Sequence, residues 1–180
     1  MHISVTSATI GEMPGPVTDV RAGVVRRRYQ QRFGGTDLPV PVEAIAEDLC
    51  GLAVNDVDGL EVSGMLVPSE RRIYTNSAEP PTRRRFTLAH ELGHWICQCL
   101  EGRTAPLYCR AEEVGPDATA KAVEREANVF AAELLMPEER VHQEWPRAAS
   151  AAELASWFGV SAEAMSWRLY SFGLVEEPPR

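Results

Sequence analysis

The residues best suited to chemistry in this 180-residue chain form one run, His90-Glu91-Leu92-Gly93-His94. Residues four apart lie on one face of an α-helix, so two histidines at this spacing can bind the same metal ion. Glu91 can then reach a water molecule bound to that ion and take its proton. The pattern predicts a zinc hydrolase with one zinc ion per chain, and the alternative is a buried helix whose histidines are only hydrogen-bonded.

The sequence around this run predicts that it lies within a helix. Pro80-Pro81-Thr82 ends an extended segment and offers Thr82 as an N-cap, and apolar residues then recur at helical spacing as far as Ile96. A glycine inside a helix costs about 1 kcal/mol relative to alanine. We therefore expect another backbone to pass close to Gly93.

A catalytic zinc ion takes three protein ligands and keeps an open position for water, so a third ligand must come from elsewhere in the chain. The helix predicted over residues 123–136 ends before Pro137 and carries Glu124, which we interpret as that ligand. Asn128 lies one turn further on the same face, where its amide can hold a ligating histidine by the second ring nitrogen. Glu126 lies about 200° round the helix from Glu124 and is the rival ligand.

Other side chains offer weaker alternatives. The cysteines could form a thiolate site, but their spacing lacks the C-x-x-C pairs of structural zinc sites, and reduced thiols are the expected state. A reaction through an oxyanion would need a stabilising group besides the metal, and residue type alone leaves several candidates open. The residues concerned are Cys50, Cys97, Cys99 and Cys109 for the thiolate site, and Tyr74, Tyr108 and His142 for the oxyanion.

Two blocks of the sequence, residues 85–94 and 124–137, closely resemble the ImmA/IrrE family of metallo-endopeptidases. The resemblance extends in kind over about residues 36–175. It implies a gluzincin-like fold, a zinc ion held by His90, His94 and Glu124, and proteolysis of a helix-turn-helix repressor.

The chain as a whole predicts an α+β fold. Short β-favouring runs precede the motif helix, and we expect them to form a small antiparallel sheet beside it, with an edge strand able to pair with an extended substrate. An irregular N-terminal segment, a zincin-like metallopeptidase domain and a C-terminal helical subdomain are expected in that order. The predicted ranges are helices over 19–33 and 42–50, strands over 52–57, 64–67 and 72–76, and domains over 1–17, 18–137 and 138–180.

The C-terminal residues have the order of a helix-turn-helix unit. Two short amphipathic helices flank the turn Gly159-Val160, with Ser161 as the cap of the second. A DNA reader needs a basic second helix, whereas the segment from residue 150 onward holds more acidic than basic residues. We therefore interpret this subdomain as a unit that packs on the catalytic domain or receives the repressor.

The composition bears on partners and location. A net charge of −8 argues against direct binding to nucleic acid. No apolar run approaches the roughly 18 residues that span a bilayer, and the first residues lack the order of a secretory signal, so a cytoplasmic protein without membrane contact is expected. Two functions remain: an endopeptidase that cleaves the repressor, favoured by the intact Glu91, or a protein that binds and displaces the repressor without cutting it.

Overall fold

The structure is a computed structural model, and it describes residues 19–35, 38–99 and 118–179. Within these ranges the chain forms seven helices and a three-stranded sheet, an α+β architecture as predicted. The irregular segment predicted over residues 1–17 lies outside the described residues. The bounds in chain order are α1 Val20–Phe33, α2 Val42–Ala44 with a π-helical continuation Ile45–Leu49, β1 Ala53–Val57, β2 Gly64–Val67, β3 Arg72–Asn76, α3 Pro81–His94 with a π-helical continuation Trp95–Cys99, α4 Ala118–Leu135, α5 Glu138–Glu144, α6 Ala151–Phe158 and α7 Ala162–Ser171.

The sheet is mixed, so the prediction of a wholly antiparallel sheet is wrong. β3 is the central strand, antiparallel to β2 and parallel to β1. The connection over residues 58–63 crosses the end of β3, where the Asn76 side chain donates to the Leu60 carbonyl and its backbone N–H donates to the Ser63 carbonyl. The central strand β3 buries Ile73 and Thr75, whereas β1 has no buried residue. Alternating polarity marks the strands but does not say which of them are neighbours.

Helix α3 crosses α4 at a point of close backbone contact. A Cβ atom on Gly93 would lie 3.1 Å from both the Cα atom and the carbonyl oxygen of Ala127, so glycine allows the two helices to approach. This is the close approach expected from a glycine at that place in the motif helix. The cap differs from the prediction: α3 begins at Pro81 with Pro80 in the capping position, so Thr82 lies inside the first turn. Proline at the first helical position lacks only an N–H that the helix would leave unpaired.

The C-terminal helices α6 and α7 flank the predicted turn, and the second has the predicted cap. Ser161 caps α7 by accepting a hydrogen bond from the backbone N–H of Ala164, and Gly159 ends α6 with φ of 64°. Leu154, Phe158 and other buried side chains of α6 and α7 belong to the same hydrophobic core as the residues of α3 and α4. The boundary between a metallopeptidase domain ending at residue 137 and a C-terminal subdomain beginning at residue 138 therefore stays a prediction.

A buried ion pair joins α4 to α7. The Arg168 guanidinium donates to the Glu133 carboxylate and to the Met136 carbonyl, and Arg26 of α1 donates to the Glu133 carbonyl. Burial raises the pKa of Glu133 and lowers the pKa of Arg168. Breaking such a pair from one side typically costs about 3–5 kcal/mol, because it leaves a buried charge without its partner. Arg168 is the basic residue of α7. Its side chain is buried against Glu133, so it is not presented at the surface where a phosphate could bind.

Membrane-spanning character is absent from the helices that can be described. None of those in residues 19–35, 38–99 and 118–179 combines the length and the apolarity needed to cross a bilayer.

Candidate metal centre

Two histidines of α3 meet at the crossing with α4. His90 and His94 stand one helical turn apart, and their Nε2 atoms are 3.0 Å from each other. The His94 side chain is fully buried, and 11% of the His90 side chain is exposed. The spacing seen in the sequence therefore places both ring nitrogens toward one point.

Glu124 of α4 faces that point. Its Oε2 atom lies 3.2 Å from Nε2 of His90, and its Oε1 atom lies 3.3 Å from Nε2 of His94. Among the described His, Cys, Asp and Glu residues, these three form the group that could hold a metal ion, with one potential ligand atom from each within 4.8 Å of the others. The structure thus brings together the three residues that the sequence singled out as ligands.

Glu124 and His94 shift each other's pKa. Hydrogen bonds with His90 and His94 hold the pKa of Glu124 well below its usual range, although burial opposes this effect. Burial would lower the pKa of His94, but its hydrogen bond with Glu124 and the charges of Glu91 and Glu124 outweigh burial and raise it. Protons and a metal ion thus compete for the same ring nitrogens, because only a neutral imidazole binds a metal.

The Nδ1 atom of each histidine contacts the oxygen of a side-chain amide. Nδ1 of His90 lies 3.0 Å from Oδ1 of Asn128, and Nδ1 of His94 lies 2.9 Å from Oε1 of Gln98. Asn128 is exposed, whereas only 2% of Gln98 is exposed. Asn128 was expected on this side of α4, but Gln98 was missed in the sequence, where its position four residues after His94 was the available signal.

Glu91 lies beside the metal-binding group and next to strand β2. It is 1% exposed. A Cβ atom on Gly64 would overlap Cγ2 of Thr87 and would come within 3.5 Å of Oε1 of Glu91. Glycine at the start of β2 therefore allows this edge strand to lie directly against α3 at the turn that carries Glu91.

The donor set and its spacing fit a divalent metal ion. Asn128 and Gln98 present carbonyl oxygens that can accept from Nδ1–H, and a neutral ring with its proton on Nδ1 would offer a metal ion the lone pair of Nε2, the atom that faces Glu124. Lone pairs and a carboxylate that converge in this way are stabilised by a cation. In a tetrahedral site with bonds near 2.1 Å, neighbouring ligand atoms lie about 3.4 Å apart, close to the separations described above.

The remaining candidates lie elsewhere or are used otherwise. Glu126, the rival ligand, accepts hydrogen bonds from Arg21 and Gln98 and is absent from the metal-binding group of the described residues. The hydroxyl of Tyr74 donates to Glu70, and His142 contacts Glu138 and Phe172. The side chain of Cys99 and all of Cys109 and Tyr108 lie outside the described residues, and no oxyanion-stabilising group is assigned.

We expect Asn128→Ala to lower metal affinity without unfolding the protein. The variant removes the acceptor that holds Nδ1 of His90, and losing such a partner typically costs about 10- to 100-fold. The exposure of Asn128 favours the lower end of that range, because water can replace the amide oxygen. Competition with a chromogenic chelator measures the affinity, and unchanged affinity would mean that the amide has no role in the site.

Comparisons with known proteins agree with the site. The profile of the Peptidase_M78 family, described as the IrrE N-terminal-like domain, matches residues 51–170. The radiation response metalloprotease IrrE of Deinococcus deserti is 30% identical over 169 residues, which cover 91% of this chain and 58% of the relative. The protein of the same name from Deinococcus radiodurans is 34% identical over 110 residues, 59% of this chain and 33% of the relative.

The chain spans little more than half the length of the Deinococcus deserti relative and a third of the Deinococcus radiodurans one. A solved Mycobacterium tuberculosis transcriptional regulator has a similar fold, with a TM-score of 0.63 at 21% identity over 82% of this chain and 45% of that protein. The family match covers the HExxH run, Glu124 and the helices that carry them. The resemblance noted in the sequence is thereby confirmed: the chain belongs to the ImmA/IrrE family, that of the IrrE N-terminal-like peptidase domain.

Proposed function

We propose that this chain is a zinc-dependent endopeptidase that hydrolyses a peptide bond in a partner protein. The observation that carries the proposal is the convergence of His90 Nε2, His94 Nε2 and the Glu124 carboxylate at the turn of α3 that also bears Glu91. Two imidazoles and one carboxylate, with a position left for water, are the donor set of catalytic zinc in gluzincins. The mixed sheet beside α3 and the following α4 are consistent with a zincin-like arrangement, which is part of the same proposal.

Glu91 is the proposed general base. A zinc ion held by His90, His94 and Glu124 would supply acidity to a bound water molecule and polarise the scissile carbonyl. Glu91 takes the proton of the attacking water on its carboxylate and passes it to the leaving amine nitrogen. Its burial beside Gly64 keeps bulk water away from that carboxylate, so the proton is transferred within the site.

Strand β2 is the proposed platform for the substrate backbone. The Asn76 N–H donates to the Ser63 carbonyl, and in antiparallel pairs such hydrogen-bonded positions alternate. The even-numbered residues of β2, Gly64 and Leu66, therefore turn their backbone N–H and C=O groups away from β3, to the side where no other strand lies in the described part of the chain. An extended peptide can add to that edge as a further strand, which brings its backbone alongside Glu91.

Substrate peptides with single N-methyl groups test this binding mode. Only alternate residues of an added strand donate hydrogen bonds to the edge. We expect N-methylation at alternate positions around the cleaved bond to reduce kcat/KM by about 10-fold or more, the value of a lost hydrogen bond that leaves its partner unpaired. Methylation at the intervening positions should have little effect. A uniform effect at all positions would contradict pairing with β2.

A helix-turn-helix transcriptional repressor is the proposed partner, because the family resemblance implies such a substrate. The acidic chain and the internal use of Arg168 make a protein a better partner than DNA. A cytoplasmic location, where such a repressor acts, belongs to the same proposal. The alternative, displacement of the repressor without cutting, would use the same surface but would need no base at Glu91.

Mass spectrometry of new N-termini tests the function directly. A cell extract of the source organism is incubated with the wild-type chain and zinc, with the wild-type chain and a chelator, and with the Glu91→Gln variant. New termini in the first sample alone support metal-dependent endopeptidase activity, and their presence in a DNA-binding regulator supports the proposed partner. Absence of new termini, together with loss of DNA binding by an intact regulator, would support displacement instead.

A further inference from the structure

A line of buried and half-buried polar groups runs from the second histidine to the N-terminus of α1. Gln98 Nε2 donates to Oε2 of Glu126 over 3.0 Å, and Arg21 donates to Oε1 of Glu126 over 2.8 Å. Arg21 in turn binds the carboxylate of Asp19, the cap of α1. Together with the contact of Gln98 Oε1 with His94 Nδ1, these bonds connect three helices to one imidazole ring.

We propose that Glu126, acting through Gln98, fixes the tautomer and orientation of His94 and so prepares its Nε2 atom for the metal. Glu126 is then a positioning residue that binds no metal itself. The inference rests on the proposed function only in assuming that His94 is a metal ligand, and it adds a role for two residues outside the ligand set.

The argument follows from what each group can donate. A carboxylate paired with arginine only accepts hydrogen bonds, so the group of Gln98 that faces Glu126 must be its NH₂. The amide oxygen of Gln98 then faces His94, and it accepts only if Nδ1 of His94 carries the proton. A neutral ring with its proton on Nδ1 has its lone pair on Nε2, the atom that lies 3.3 Å from Glu124. If the amide of Gln98 were reversed, its oxygen would face the Glu126 carboxylate, and two acceptors would meet with no proton between them.

Burial and charge hold this arrangement in place. Gln98 is 2% exposed and His94 is fully buried, so water does not compete for the amide. Hydrogen bonds with Asp19 and then Glu126 raise the pKa of Arg21 above its ordinary value, against the effect of burial, so its positive charge persists beside Glu126. His90 differs, because its partner Asn128 is exposed. The buried ring is therefore the one whose tautomer the protein sets through a charged residue.

The first test is Glu126→Gln, which keeps the shape of the side chain. An amide at position 126 can meet Gln98 with either its oxygen or its NH₂, so Gln98 is free to reverse and to offer its own NH₂ to His94. We expect zinc affinity, measured by chelator competition at high salt, to fall about 10-fold. We also expect ¹⁵N–¹H spectra at alkaline pH of the metal-free Glu124→Ala protein, in which no carboxylate competes for the proton of Nε2, to show His94 with its proton on Nδ1, and those of the Glu124→Ala, Glu126→Gln protein to show a mixture of tautomers.

The second test exchanges the amide of Gln98 and the carboxylate of Glu126. In the double variant Gln98→Glu, Glu126→Gln, the carboxylate at position 98 accepts from His94 Nδ1, and the amide at position 126 donates to that carboxylate and accepts from Arg21. Zinc affinity and the Nδ1 tautomer should return to wild-type values or better. Gln98→Met, which has similar volume and no acceptor, should lose affinity and should not be rescued by Glu126→Gln.

Glu47→Gln, in the π-helical continuation of α2, is the control for the lost charge, since Glu47 is exposed. Its zinc affinity should equal that of wild type. A proton on Nε2 of His94 in the metal-free Glu124→Ala protein, an unchanged tautomer or affinity on adding Glu126→Gln, or no recovery in the double variant would overturn the inference. Failure of the proposed function would look different: wild type would bind no zinc, whereas the tautomer of His94 can be read in the metal-free protein.

Discussion

Replacing Glu91 by glutamine should stop peptide hydrolysis while leaving the metal site occupied. Glutamine has nearly the same shape but cannot accept the proton of the attacking water, and a positioned general base contributes about 10²- to 10⁴-fold to rate. We expect kcat to fall by about that factor and the zinc content to stay near one ion per chain. Initial rates on a peptide taken from an identified cleavage site, together with metal analysis of the same preparation, measure both quantities.

The matched control is again Glu47→Gln, which makes the same chemical change at an exposed site in the π-helical continuation of α2. It should retain the wild-type rate and metal content. Loss of metal from Glu91→Gln would make Glu91 a ligand or a structural partner of the histidines. Full activity without metal loss would show that another group takes the proton, and would assign a different role to the buried carboxylate beside Gly64.

The sequence was most informative where local rules determine structure. The three strands and helix α1 lie within a residue of their predicted ranges, and α7 has its predicted cap, because turn residues and side-chain caps such as Ser161 act over a few neighbouring positions. α4 begins at Ala118, earlier than the predicted residue 123. Its first turns are rich in alanine, which favours helix strongly but gives no apolar periodicity to read.

Strand order could not be obtained in the same way. Polarity along β1 and β3 indicates two strands, yet their parallel pairing depends on the chain crossing the end of β3 before β2 begins. That path is set by packing of the whole sheet against α3, where Gly64 must lie against Thr87. No pattern within a single strand carries this information.

The site shows the same limit at the level of side chains. Helix geometry correctly predicted that Glu124 and Glu126 lie on different sides of α4. It could not predict which residues of other elements contact Glu126. The answer depends on the π-helical continuation of α3, Trp95–Cys99, which carries Gln98 toward α4. A partner that belongs to another element becomes visible only when the two elements are packed together.

Replacing Glu124 by alanine should remove the metal itself. The variant deletes one of three ligands, so we expect zinc affinity to fall by more than the roughly 100-fold that loss of an outer partner can cost. Glu126→Ala on the same helix is the comparison: it should keep the ligand set and lose affinity by only about 10-fold. Chelator competition gives both constants, and thermal unfolding of the metal-free proteins shows whether α4 still packs on α3.

The two glutamates lie two positions apart on one helix, so general effects on helix stability or net charge should be similar in both variants. A difference in zinc affinity between them therefore reports the direction in which each side chain points. Equal losses would mean that neither carboxylate is a ligand in preference to the other. A larger loss in Glu126→Ala would make Glu126 the third ligand and would require α4 to be rotated from the orientation that places Glu124 within 3.3 Å of both histidines.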